Sequence, residues 1–73
     1  MKIPTRETIE SLRKKYVNGS RVKLLKMEDD ANPVAPGSLG TVIHVDDIGQ
    51  IHVKWDNGRG LALIPGVDLF IKT

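Results

Sequence analysis

The sequence predicts a mainly β fold, a five-stranded small barrel preceded by one N-terminal α-helix. Apolar residues recur at helical spacing only before Gly19, alternation replaces that pattern from Ser20 onward, and turn residues cut the alternation into five short runs. The chain has 73 residues, enough for one domain with a helical part (1–18) and a β part (19–73). A domain this small buries only roughly 60% of the surface its unfolded chain exposes, so its core is thin. With no cysteine, no disulfide or thiolate metal site reinforces it.

The helix spans residues 5–17. Thr5 is its N-cap, Glu7 and Glu10 lie near the positive end of the dipole, and Lys14 and Lys15 lie near the negative end. Ile9, Leu12 and Tyr16 form a narrow apolar stripe, and Asn18-Gly19 ends the helix because both residues tolerate a left-handed backbone. Strands then follow at Arg21–Met27, Leu39–Asp46, Gln50–Trp55, Arg59–Ile64 and Leu69–Lys72, with an eleven-residue loop, Glu28–Ser38, after the first.

The turns set the register. A three-residue loop at Asp47-Ile48-Gly49 pairs Ile43 with Val53, Val45 with Ile51 and Thr41 with Trp55, which makes one face apolar throughout. Asn57-Gly58 is the strongest two-residue hairpin signal in the chain; it pairs Trp55 with Gly60, Val53 with Ala62 and Ile51 with Ile64. Trp55 therefore packs in the core, and its indole N–H needs a partner. The opposite face carries Val42, His44, His52, Lys54, Leu61 and Leu63, with His44 across from His52. Three aliphatic residues are too many for a fully wet face, so the helix stripe or a second copy of the protein covers part of it.

Charge is unevenly divided. Residues 1–26 hold eight Lys and Arg against two acids, a balance of +6, and residues 27–73 hold three against seven, a balance of −4. Such polarity suits an anionic ligand or a head-to-tail contact. His44, His52, Lys54 and Arg59 are the candidate ligand-binding residues; Glu28, Asp29, Asp30, Val42, Leu61 and Leu63 are the candidate partner-binding residues. No carboxylate is predicted beside the histidines, and two ligands are fewer than a zinc site needs, so no metal is assigned. The acids at 28–30 lack EF-hand spacing. No nucleophile elbow, P-loop or Cys nucleophile occurs, so the reading is no enzyme and no cofactor. No apolar run approaches the roughly 20 residues of a membrane span, and no signal peptide is recognised, so the expected location is cytoplasmic.

The strand order and loops look like an SH3-like barrel, with Glu28–Ser38 as the long RT-type loop, Asn57-Gly58 as the distal hairpin and Pro65-Gly66-Val67-Asp68 as the short turn before the last strand. Gly19, Val22, Gly40-Thr41-Val42, Val53, Trp55-Asp56, Gly58 and Asp68-Leu69 also resemble the mind-bomb-type SH3-like domain of animal ubiquitin ligases. The long loop lacks that domain's acidic-aromatic segment, so its peptide-binding role is not carried over. Met27-Glu28-Asp29-Asp30, Pro36 to Val42, Val45 to Gly58 and Leu63 to Asp68 resemble the signature of an uncharacterised family, a domain of unknown function in short proteins of Gram-positive bacteria, their prophages and phages. That resemblance implies a mobile-element setting in the bacterial host cytoplasm and brings no activity with it.

The leading expectation is a non-catalytic binding module, an adaptor or inhibitor of a host protein. The alternative is a homo-oligomeric sponge that sequesters a small anionic nucleotide signal of antiphage defence, an analogy with small phage proteins. Sequence-tolerant nucleic-acid binding through the N-terminal bases ranks third, because three aromatic residues leave little to stack on bases.

Overall fold

The computed structural model of the protein describes residues 5–27 and 33–73. Helix α1 (Arg6–Lys15) begins where expected: Thr5 is extended, and its hydroxyl accepts the Thr8 N–H at 3.2 Å. It ends sooner than the predicted residue 17, because Tyr16 leaves helical geometry while its N–H still donates to the Leu12 carbonyl at 2.8 Å. Ile9 and Tyr16 are buried and Leu12 partly so. The Tyr16 ring meets Phe70 edge-on at 5.7 Å, and Arg13 Nε donates to the Val45 carbonyl at 3.2 Å, so the helix packs on its own sheet.

That sheet is antiparallel with four strands, β1 (Arg21–Lys26), β2 (Leu39–Val45), β3 (Ile51–Trp55) and β4 (Leu69–Lys72), in the order β3-β2-β1-β4. The expected fifth strand at 59–64 is reduced to isolated bridges, Gly60 with Lys54 and Leu63 with Ile51, so the sheet is open at that side. Gly60 and Ala62 give this segment little strand propensity, and its ladder is loose at Leu61, whose N–H reaches the Val53 carbonyl at 3.3 Å.

The two hairpins turn out to be the same. In the first, the Asp46 N–H donates to Gln50, the Gly49 N–H donates back to Asp46, and Gly49 has φ 83°. This is the predicted three-residue loop with a left-handed glycine. In the second, the Trp55 N–H donates to Arg59, the Gly58 N–H donates to Trp55, and Gly58 has φ 92°. The loop is Asp56-Asn57-Gly58, not the two-residue Asn57-Gly58 turn predicted. Asp56 is unavailable to close a shorter turn: its N–H goes to the Leu39 carbonyl at 3.0 Å, and its carboxylate grips Arg21.

The β2–β3 register changes midway. Val45↔Ile51 and His44↔His52 pair as predicted, but a bulge at Ile43 shifts the rest, giving Val42↔Val53, Thr41↔Lys54 and Gly40↔Trp55. Trp55 explains the shift. A Cβ on Gly40 would lie 2.8 Å from the indole and 2.5 Å from Val53 Cγ1, so the indole needs a residue without a side chain across the ladder. The bulge turns Val42 inward (1% exposed) and Ile43 outward (45%).

Both corrections change which residues build the core. Val22, Leu24, Val42, Val45, Ile51, Val53, Trp55 and Leu63 pack together, with Val34, Met27 and Tyr16 around them. Val42 and Leu63 (0% exposed) were expected on the outer face and are instead core, and Leu61 is partly buried against it. Trp55 is buried as expected, and its Nε1–H donates to the Leu61 carbonyl at 3.0 Å. Asp68 is the buried polar residue before β4; its carboxylate accepts the Ile64 N–H at 2.8 Å.

Candidate ligand-binding face

Along β3, Ile51, Val53 and Trp55 are buried, which turns His52 and Lys54 outward. Their β2 neighbours are His44 and Thr41. The bridges of segment 60–63 run in one register, placing Gly60 beside Lys54 and Ala62 beside His52. The outer face is thus two imidazoles and an ammonium standing next to a strip without large side chains.

The His44 and His52 rings are stacked, with centroids 4.4 Å apart and planes 8° from parallel. His52 is held from the loop: its Nε2–H donates to Asp46 Oδ2 at 2.8 Å, since a carboxylate can only accept. Asp46 Oδ1 accepts the N–H groups of Gln50 at 2.8 Å and Ile48 at 3.1 Å, an Asx-type bracket across the turn. Burial pushes the Asp46 carboxyl up, but the bonds from His52, Gln50 and Ile48 outweigh it and hold the group below its ordinary value. The expectation that no carboxylate shares the histidines' surroundings is therefore corrected; the signal missed was the Asp-x-x-Gly bracket, which reaches His52 six residues on.

Lys54 is exposed and forms no ion pair among the described residues. Across the strand, Arg21 donates from Nη1 to Thr41 Oγ1 at 2.8 Å and forms a two-pronged pair with Asp56 at 2.8 and 2.6 Å. Arg21 holds the Asp56 carboxyl below its ordinary value, and Asp56 raises the guanidinium further. These two charges satisfy each other, which leaves Lys54 and the imidazoles to define the face.

Of the predicted ligand-binding residues, His44 and His52 stack on each other, Lys54 lies outward on the same strand as His52, and Arg59 stands apart. Arg59 lies across from Trp55, and its Nη1 donates to the Pro33 carbonyl at 3.2 Å, toward the long loop. Of the predicted partner-binding residues, Val42 and Leu63 are core, Leu61 is partly so, and Glu28, Asp29 and Asp30 lie outside the described residues. Arg13 was not predicted as a site residue. It joins the helix to the β2–β3 hairpin through Val45 and through Asp47 Oδ1 at 2.7 Å, a pairing of residues 34 apart in sequence that no local pattern signals.

Among the described residues, no three His, Asp or Glu side chains converge to hold a metal ion, and no Ser or Thr hydroxyl is bonded to either imidazole. Among the described residues, no helix is long and apolar enough to cross a membrane. The assembled groups are suited to a negatively charged ligand: a donor at the edge of His44, whose ring is stacked on His52, the Lys54 ammonium two residues along β3 from His52, and open ground beside them. No curated protein and no solved structure matches the chain. A family model matches residues 5–73, from the helix N-cap through β4, and the chain belongs to that family, a domain of unknown function (DUF4314).

Proposed function

We propose that the protein is a non-catalytic binding domain whose outer sheet face takes an anionic group on His44, His52 and Lys54. The observation that carries this reading is the parallel imidazole stack, fixed by Asp46, with Lys54 on the same face of β3. A charge-assisted hydrogen bond contributes about 1.5–3 kcal/mol, so two or three of them give a usable site without a deep cavity. The adjoining Gly60 and Ala62 leave the ligand room.

The strand order supports an SH3-like barrel in which segment 59–64 completes the row 59–64, β3, β2, β1, β4. The resemblance to short phage and prophage proteins supports a host-cytoplasmic setting, where the anion would be a nucleotide signal or another phosphate compound. A second reading, an adaptor or inhibitor that docks on a host protein or on its own copies, no longer draws on Val42 and Leu63. What favours it is the exposed Leu39, Lys23 and Ile71 row, which crosses β2, β1 and β4, with Leu69 nearby.

The test is titration of the protein with inorganic phosphate and pyrophosphate at low salt, followed by imidazole and amide NMR shifts. His44, His52 and Lys54 should move together, and Lys54→Glu should weaken binding by about tenfold. Shifts confined to the N-terminal bases, with Lys54→Glu silent, would refute the site.

A further inference from the structure

A groove of about 280 Å³ opens where the C-terminal end of α1 meets the β2 bulge. Tyr16, Val17 and Asn18 line it from the helix side, Ile43 and His44 from the sheet side, and Arg13 borders both. Val17 and Ile43 are about half exposed, and both of these apolar side chains line this groove. Its shape is fixed from below: Asn18 Nδ2 donates to the Ile43 carbonyl at 2.8 Å, which occupies the acceptor the bulge sets free.

Two features of the lining point to a ligand. His52 covers one face of the His44 ring and does not itself line the groove, so the second face of His44, the residue that borders the groove, is free of the stack. A flat ring entering there continues an existing stack. Arg13 has five N–H donors; one goes to Val45 and one to Asp47, which leaves three. The Asp47 side chain is 98% exposed, so this pair is screened by solvent and holds Arg13 only weakly. The volume lies just under the roughly 300 Å³ at which small-molecule pockets begin, which suits one ring system and is too small for a helix or a folded partner.

We infer that this groove takes the planar aromatic ring of a small phosphate-bearing ligand of the nucleoside monophosphate class, with its phosphate on the His44, His52 and Lys54 face. His44 belongs to both surfaces and joins them into one site. The inference rests on the anion-binding reading of that face and adds the chemistry of the rest of the ligand.

Calorimetric titration with adenosine monophosphate, adenosine and inorganic phosphate at one low ionic strength separates the two claims. Adenosine monophosphate should bind about tenfold more tightly than phosphate, as expected when a base stacks on an aromatic side chain. The Val17 and Ile43 methyl resonances should shift with adenosine monophosphate and adenosine but stay in place with phosphate. Val17→Asn, a neutral change at a site already about half exposed, should remove the preference for the nucleotide and leave phosphate binding unchanged. Unchanged emission from the buried Trp55 verifies that the variant is folded. Equal affinity for nucleotide and phosphate, or an intact preference in folded Val17→Asn, overturns the groove and spares the anion face. Absence of binding by all three probes overturns both.

Discussion

Replacing Gly40 by alanine tests the packing that sets the sheet register. The new Cβ would lie 2.5 Å from Val53 Cγ1, 2.8 Å from Trp55 Cε3 and 3.2 Å from the Lys54 carbonyl oxygen. Carbon atoms in contact ordinarily sit about 3.5–4.0 Å apart, so two fully buried side chains and one strand must move by up to about 1 Å. Overpacking of this kind costs about 1–3 kcal/mol. Gly40 does not have a left-handed backbone, so alanine also restricts the unfolded chain and returns about 0.4–1 kcal/mol. The net loss lies between about 0 and about 2.6 kcal/mol, with a midpoint of about 1.3, about a quarter of the roughly 5 kcal/mol that a small domain commonly has. Gly60→Ala is the matched control, because a Cβ there meets nothing within 4 Å and the backbone is equally ordinary. Urea unfolding followed by Trp55 fluorescence should show a lower midpoint for Gly40→Ala and an unchanged or higher one for Gly60→Ala. A Gly40→Ala protein as stable as Gly60→Ala would mean that the indole does not press on Gly40 and that this contact does not set the β2–β3 register.

Leu63→Ala should cost about 2–5 kcal/mol, as for a buried leucine, while Leu69→Ala, at a site 58% exposed, should stay within about 0.5 kcal/mol; a mild Leu63→Ala would restore the two-residue turn at Asn57-Gly58. Asp46 and Asp56 both have carboxyls held below the ordinary value of 3.8, so the folded state binds protons less readily than the unfolded state. Their contribution is therefore fully present above about pH 4 and is lost as the pH falls through the lowered values. Urea midpoints measured from pH 7 to pH 2 should decline mainly below pH 4, and Asp46→Asn should flatten that decline; a slope unchanged by the substitution would show that Asp46 is not bracketed in the folded state.

The helix, its Thr5 cap and the first hairpin were legible because each depends on residues within a few positions of one another. The second hairpin was not. Asn57-Gly58 locally favours a two-residue turn, but Asp56 is committed to Leu39 and Arg21, which lie far off in sequence. One residue of slip in a strand exchanges its two faces, so this local error carried Leu63 from the core to the predicted surface. Val42 was misplaced for a different reason, a bulge demanded by the fit of Trp55 against Gly40. The pair His44 and His52 survived because both lie between the bulge and the correctly read Asp47-Ile48-Gly49 loop. Lys54 kept its outward side because alternation along β3 is unbroken. Arg13 and its groove depend on how the helix docks, which is not encoded in any short stretch.

The anion face is tested most directly by the imidazole resonances of His44 and His52 during titration with inorganic phosphate at low salt, compared between wild type and Lys54→Glu. Saturable shifts of both rings with a common midpoint, weakened about tenfold by Lys54→Glu, are the predicted result. Rings that ignore phosphate, or that respond identically with and without Lys54, would contradict the assignment of this face as the binding site.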